Sequence, residues 1–309
     1  MKAHIFQAID TRQTIQWGKY LAQLGWNIEH VGKTVILIKK IPFINKSVIK
    51  IQHPLGPIPF KKIEEISKKY SAFSTLIEPH NVNYSEEEYK KNNYAKSNMR
   101  FAHSATIKID LTQSEKTVWK SLSENAKRNI TKAKNNNLTI KKIFLKKEKN
   151  NNQFNAFYNL LLELVKIKKF YIPSYDEYIK KMNAFRDTSI IIFAYEKNGN
   201  APIAAVWLAH YKNVITYLQT GITKKGYDSL ANYLLVWEAL KLGKKLKLEV
   251  FDFETIYDPR YPQENKRWIG YSEFKKRFHG EIVEYPPSWI KFHNKFFHFL
   301  YTCSTIFSH

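Results

Sequence analysis

Cysteine is almost absent. A single Cys303 in 309 residues excludes an intrachain disulfide, so the fold must rest on its core rather than on a covalent staple. A chain of this length can bury ample core and suggests two domains. Long apolar runs are missing as well. The hydrophobic stretches are short and interrupted by lysine, so none reads as a spanning helix. The opening MKAHIFQAIDTRQ has no sustained apolar core of the signal type, which sets the expectation of a cytoplasmic protein. Acidic residues are scarce: 27 Asp and Glu against 50 Lys and Arg leave a formal charge of +23. A field of that sign gathers phosphates, so nucleic acid, nucleotide-linked substrates and acidic lipid are the partners it favours. Compositional drift in a Lys-, Asn- and Ile-rich chain is the plain alternative. His30, His53, His80, His103, His210 and His279 are scattered without the close pairing of a zinc or iron motif, so no metal is expected.

What is present is an alternation of helical and strand patterns. Helical spacing over 11–24 is followed by strands at 34–39 and 48–51, a turn HPLGPIP at 53–59, a helix over 63–70 and a strand ending at Glu78-Pro79. Ser85 with Glu88 and Thr112 with Glu115 read as capping boxes, and ATIKID at 105–110 alternates as a strand should. The second capping box predicts one helix with Val118, Leu122, Ala126, Ile130 and Ala133 on its apolar face. On that helix Lys120, Lys127 and Lys134 recur every seven residues as one basic stripe, with Arg128 and Lys132 on a second. Between Ser114 and Lys149 eleven Lys or Arg stand against three Glu. That clustering makes a polyanion site a fair competitor to a solvated helix face.

Further on, a helix from Phe154 to about Lys169 and another capped by Ser174 lead into a strand at 190–196. Two more strands, 202–211 and 214–219, are joined by the two-residue turn Lys212-Asn213. A polar loop, a helix around 231–240 and a strand carrying Asp252 complete the order strand, strand, strand, helix, strand. This is the order of the acyl-CoA-dependent N-acyltransferase fold. A CoA-using member would offer a glycine-rich loop whose backbone N–H groups hold pyrophosphate at a helix N-terminus. Here the loop is Thr223-Lys-Lys-Gly226-Tyr-Asp228, with one glycine and a carboxylate where phosphate would sit, which argues against CoA. The segment 248–280, LEVFDFETIYDPRYPQENKRWIGYSEFKKRFHG, has the look of a reaction site at a strand end. Asp252 and Glu254 interrupt an apolar strand before a tyrosine- and arginine-rich loop. A loop cap, or a pairing of Asp252 with Arg260 or Arg267, is the bland reading. The tail from Trp289 to Phe307 is aromatic and basic. It reads as a helix packed on its own domain, with a membrane-surface segment as the alternative.

Several segments, in order, resemble the Fem family of bacterial aminoacyl-tRNA-dependent peptidyl transferases. They are Ile15-Gln-Trp-Gly18, Pro54-Leu-Gly-Pro57, Leu76-Ile-Glu-Pro79, Ile109-Asp-Leu111, Asn125 to Ile130 with Lys132-Ala133, Ala231 to Ala239, Phe251-Asp-Phe253 and Gly270 to Gly280. The resemblance covers nearly the whole chain and implies an α/β (α+β) fold of two tandem acyltransferase-like domains with mixed central sheets. The expected division is 1–137 plus 282–309 for the first domain and 138–281 for the second, which would carry the donor channel. The absence of a long heptad run matches the shorter members without a coiled-coil arm.

The activity so implied is transfer of an amino acid from aminoacyl-tRNA to the stem peptide of a UDP-linked or lipid-linked peptidoglycan precursor. It needs no cofactor and is carried out by a monomer, with peripheral contact at the inner membrane face as a corollary. An oxyanion develops on the tetrahedral carbon, and the family position suited to meet it matches Lys275. Asp252 is the candidate general base. Phe274 would stack at the tRNA terminus, and Lys276, Arg277, Lys120, Lys127 and Arg128 would contact phosphates. Tyr217, Lys168, Tyr257, Arg260 and Lys19 are the candidate acceptor contacts, although Lys168 stands where the family carries an arginine and gives up bidentate phosphate recognition. A CoA-dependent N-acyltransferase of the same fold and a non-catalytic RNA-binding protein are the alternatives.

Overall fold

Alternating and continuous apolar runs become thirteen strands among residues 3–82, 84–148, 150–263 and 266–294, which the computed structural model describes. They are β1 Asn27–Val31, β2 Thr34–Lys40, β3 Ser47–Gln52, β4 Ala72–Glu78, β5 Ala95–Ser97, β6 Ala105–Asp110, β7 Thr139–Phe144, β8 Ser189–Tyr195, β9 Pro202–Tyr211, β10 Val214–Ile222, β11 Val250–Thr255, β12 Glu281–Glu284 and β13 Ser288–Phe292. Two mixed sheets result, ordered β1-β2-β3-β4-β13-β5 and β12-β6-β11-β10-β9-β8-β7. The fold is thus of the mixed α/β class, with two mixed sheets in tandem as expected. Two compact units carry these sheets: residues 9–104 with 284–309, and residues 1–8 with 105–283. The second unit begins earlier than the sequence division at 137/138, because β6 pairs antiparallel with β11 deep inside the seven-stranded sheet. Strand periodicity cannot report which distant partner a strand finds.

In the six-stranded unit the β-branched runs of β2 and β3 supply Ile36, Ile38, Ile49 and Ile51 to a core completed by Ile63, Ile77, Tyr89 and Trp289. Trp289 stacks on Tyr89 with ring centroids 5.1 Å apart. The tail expected to be helical therefore starts as a strand, β13, paired with β4 and β5. In β13, Trp289 and Lys291 share one face and Ile290 and Phe292 the other, and residues 295–307 of the expected segment lie outside the described residues. Buried Glu78 ties a loop to the sheet. Its Oε1 accepts the Phe101 and Ala102 N–H groups, both at 2.7 Å, and Oε2 accepts Gln52 at 2.9 Å.

In the seven-stranded unit the helix Asn152–Lys168 packs against β9 and β10, and the helix Ala231–Lys245 against β8 and β9. Trp207 of β9 is fully buried and donates its indole N–H to Ser189 Oγ at 2.8 Å. The single basic helix expected over 114–135 is two helices, Glu115–Ser121 and Glu124–Asn135. Each has its own serine cap, Ser114 accepting from Thr117 N and Ser123 from Ala126 N, both at 3.1 Å. Thr112 is not the cap. Its N–H and hydroxyl bond Asp110 Oδ1 at 2.9 and 2.6 Å. The break at Leu122-Ser123 separates Lys120 from Lys127 and Lys134, so no continuous seven-residue stripe forms.

Candidate active site

Strands β10 and β11 run parallel and pair only from Val214↔Val250 to Thr216↔Asp252. Immediately beyond, both strands slip register against their other neighbours, β10 between Tyr217 and Gln219 and β11 between Asp252 and Thr255. Glu254 adopts φ 60°, the left-handed conformation of a bulge. The two strands part there, and a cavity of about 960 Å³ opens between Tyr217–Thr220 on one side and Glu254 and Thr255 on the other. Its remaining walls come from the C-terminal end of the helix Asn152–Lys168, the segment 170–173, Tyr227, Asn232, and Trp268 with the helix Ile269–Lys276, which forms where the sequence suggested a turn.

Lys275 lies at this parting with 1% of its surface exposed. The displaced backbone of β11 aims two carbonyls at it, and Nζ donates to Phe253 O at 2.5 Å and to Thr255 O at 2.6 Å. Nζ also lies 4.0 Å from the centre of the Tyr271 ring. An ammonium has three N–H donors, so one stays without an acceptor among the described residues. Burial pushes the Lys275 amine down to about 7, against the opposing pull of Glu254 and then Asp252. A cation poised near neutrality, with a donor to spare beside an open cavity, is suited to stabilise developing negative charge.

Tyr217, 2% exposed, faces the same space and exchanges hydrogen bonds with Thr220 Oγ1 and Tyr271. Burial raises the Tyr217 hydroxyl above its ordinary value, and raises that of Tyr271 further, with the neighbouring Tyr217 assisting. Both phenols therefore stay protonated as donors. Lys168 lines the mouth with Nζ 5.4 Å from the Tyr227 ring centre. Phe274 lines the wall and packs edge-on against Tyr233 at 5.0 Å. Gly280 closes the turn against β6, where a Cβ would meet Lys108 O at 2.6 Å.

Asp252 sits away from the cavity wall. With 3% of its surface exposed, it accepts Thr106 Oγ1 at 2.5 Å and Glu254 N at 2.7 Å, and its Oδ2 is 3.8 Å from Nζ of Lys108, its cross-strand partner. Burial raises its carboxyl above the ordinary value, outweighing the Lys108 charge and the hydrogen bonds. Of the sequence-suggested arginine partners, Arg260 instead grips Asp258 through Nη2 at 2.7 Å and Nε at 3.0 Å, and the side chain of Arg267 lies outside the described residues. Tyr257 and Arg260 do not line the cavity; from their loop it is Gln263, Lys266 and Trp268 that reach it. Glu254, Tyr271 and Asn232 also line it. The motifs containing them were visible in sequence, but only the bulge and the turn reveal which side chains face inward. Lys19 is exposed on the helix Ile15–Gln23 of the six-stranded unit.

The basic residues suggested for tRNA phosphates, Lys120, Lys127, Arg128, Lys276 and Arg277, are not among those lining the cavity. Ser123 N, at the start of the helix Glu124–Asn135, donates to Arg277 O at 3.0 Å, and Arg277 Nη1 bonds the Tyr233 hydroxyl. Arg277 thus joins the start of the helix Glu124–Asn135 to Tyr233, on whose ring Phe274 also packs. Lys127 pairs with Glu124 at 2.9 Å and Lys276 with Glu273 at 2.9 Å, whereas Lys120 and Arg128 are exposed. The loop at Thr223–Asp228 is not a phosphate cradle in form. Thr223 caps a short helix, Lys224–Asp228, and Gly226 is required for packing because a Cβ there would meet Ile203 O at 2.4 Å.

No family model matches the chain, and no curated protein matches its sequence. Solved structures do match. The chain is similar to the crystal structure of FemX with a TM-score of 0.79 at 12% identity, over 96% of this chain and 96% of that one. It is also similar to the L-PGS structure from Bacillus licheniformis, with a TM-score of 0.59 at 13% identity over 92% and 90% of the two chains. The fold is therefore Fem-like. Among the described residues no helix is long and apolar enough to cross a membrane.

Proposed function

We propose that the protein is an aminoacyltransferase that moves an amino acid from aminoacyl-tRNA to the stem peptide of a UDP-linked or lipid-linked peptidoglycan precursor, as a short form without a coiled-coil arm. The observation that carries this reading is Lys275, buried at the parting of β10 and β11, held by two carbonyls and open to a cavity. In the reaction the acceptor amine attacks the ester carbonyl, a C–N bond forms, and the oxygen becomes an oxyanion. The remaining Lys275 N–H meets that charge. The ester C–O bond then breaks, and the ribose hydroxyl leaves with the proton released by the amine. Asp252, engaged with Thr106 and Lys108, has the structural part.

The tRNA terminus stacks on Phe274, and its phosphates follow Arg277, Lys276, Lys127, Arg128 and Lys120. Tyr217 and Lys168 contact the acceptor from the cavity, with Tyr257, Arg260 and Lys19 as contacts beyond its wall. The reading carries with it a cytoplasmic monomer, in peripheral contact with the inner membrane face when the precursor is lipid-linked. The FemX-like fold supports this reading, as does the packing role of Gly226 in place of a pyrophosphate loop. The test is transfer of a radiolabelled amino acid from a charged tRNA pool to precursor, with and without ribonuclease. Transfer is expected to vanish with ribonuclease. Activity that persists, or that requires added CoA instead, would replace this reading with a CoA-dependent N-acyltransferase.

A further inference from the structure

The histidines that looked scattered are partly gathered by the fold. In the six-stranded unit three segments bring a carboxylate and two imidazoles to one buried point that the proposed transfer does not use. Asp10 precedes the turn Thr11–Gln13, His53 follows β3, and His103 lies in the loop anchored by Glu78. Their exposures are 2%, 1% and 7%. Asp10 Oδ2 is 2.9 Å from His53 Nδ1 and 3.6 Å from His103 Nε2. One potential ligand atom from each residue lies within 4.8 Å of the others. Because 43 residues separate Asp10 from His53, no motif in the sequence announces the group.

A hydrogen bond accounts for the 2.9 Å approach. A second imidazole nitrogen, His103 Nε2, faces the same oxygen at 3.6 Å, within ion-pair distance but beyond a hydrogen bond. Donors bound at roughly 2.0–2.1 Å from one metal ion stand about 2.9 Å apart at a right angle and about 3.4 Å apart at the tetrahedral angle, close to both separations here. The surroundings also orient the donors as outer-shell groups do. The far oxygen, Asp10 Oδ1, accepts Arg12 N at 2.8 Å and Arg12 Nη1 at 3.2 Å, which turns Oδ2 toward the imidazoles. Tyr285 stacks on the His53 ring at 3.8 Å and 10°, and His103 meets both rings edge-on at 5.0 and 5.2 Å. His53 is held at φ 47°, a conformation that fixes where its ring points.

We propose that Asp10, His53 and His103 form a two-histidine, one-carboxylate site for a divalent transition metal of the zinc class. Imidazole nitrogen with carboxylate oxygen suits that class, whereas Mg²⁺ and Ca²⁺ take oxygen-only sets. Three protein ligands leave at least one coordination position for water. The test uses the full chain, treated with chelator and then titrated with Zn²⁺ alone, with Co²⁺ as the spectroscopic probe. One equivalent is expected to bind and to raise Tm. His103→Gln, which keeps the Asp10–His53 hydrogen bond, should weaken uptake at least about tenfold, and His30→Gln, at an exposed histidine, should leave it unchanged. X-ray absorption of the zinc-loaded wild type, expected to show two imidazoles in the first shell, decides the matter even if the His103 variant fails to fold. The proposal is overturned by failure to bind one equivalent, by uptake that folded His103→Gln leaves intact, or by a shell without imidazole.

Discussion

Two lysines of the seven-stranded unit are fully buried, Lys108 on β6 and Lys275 on the helix Ile269–Lys276 beside β11, and they differ in what holds them. Lys108 stands across the strand from Asp252 with its ammonium 3.8 Å from the carboxylate. Charge meets opposite charge there, and the pair has no opening onto the cavity. Lys275 is held instead by two neutral carbonyls, with a cavity before it. Carbonyl dipoles orient an ammonium without neutralising it, so burial outweighs the opposing pull of Glu254 and Asp252 and the amine falls to about 7. Two lysines of nearly equal burial thus stand in different settings, one ion-paired across strands and the other hydrogen-bonded to carbonyls beside a cavity.

The largest effect expected from this contrast is on stability. Lys108→Ala leaves Asp252 buried without its cross-strand partner and should cost roughly 3–5 kcal/mol, read by urea denaturation. A loss under about 1 kcal/mol would mean that the pair is not the fastener described. Next comes Lys275→Ala, expected to lower transfer about 10²- to 10³-fold while circular dichroism and urea midpoint show a folded chain. Full activity in that variant would remove Lys275 from the chemistry.

Raising the pH should separate the two lysines further. Because the folded amine of Lys275 titrates at about 7, transfer should fall as pH rises through that value and the protonated fraction is lost. In residual activity of Lys275→Arg, whose guanidinium stays charged, that falling limb should be absent. Stability has the opposite sign. The unfolded lysine keeps its proton to a higher pH than the folded one, so between about 7 and 10 the unfolded state binds more protons and stability rises with pH. Subtracting the curve of Lys275→Met isolates this rise, and a flat difference would show that Lys275 is charged throughout. The smallest effect is that of Thr106→Val, which removes one bond to the Asp252 carboxylate and should cost roughly 1.5 kcal/mol with transfer unchanged.

Much of the seven-stranded unit was legible in the chain. The alternation of β8 to β10, the turn at Lys212-Asn213 and the apolar helix 231–245 are local patterns, and local patterns survive folding. Lys275 and Tyr217 stood out only through ordered motifs, since nothing in their immediate neighbours marks them as buried together. Other features depend on distant partners. β13 was expected to be helical because its aromatics fit either period, and pairing with β4 decided the matter. Asp252 looked like the reacting carboxylate until its partner Lys108, far back in the chain, came into register. The break at Ser123 was hidden because a serine followed by an acidic residue also fits a helix interior. Asp10, His53 and His103 meet only once β3 and the loop held by Glu78 are in place.

The slipped registers at Tyr217–Gln219 and Asp252–Thr255 have a consequence for diversification. The gap between β10 and β11 is made by backbone irregularity, and the hydrogen bonds that hold Lys275 go to backbone carbonyls, with the Tyr271 ring beside it. Residues of the cavity wall such as Tyr171, Gln263, Lys266 and Trp268 can therefore be exchanged without disturbing the seat of the cation. If the proposed transfer holds, a lineage or an engineer could retarget the pocket to a different acyl group or acceptor by changing those walls alone and keep the cation where it stands.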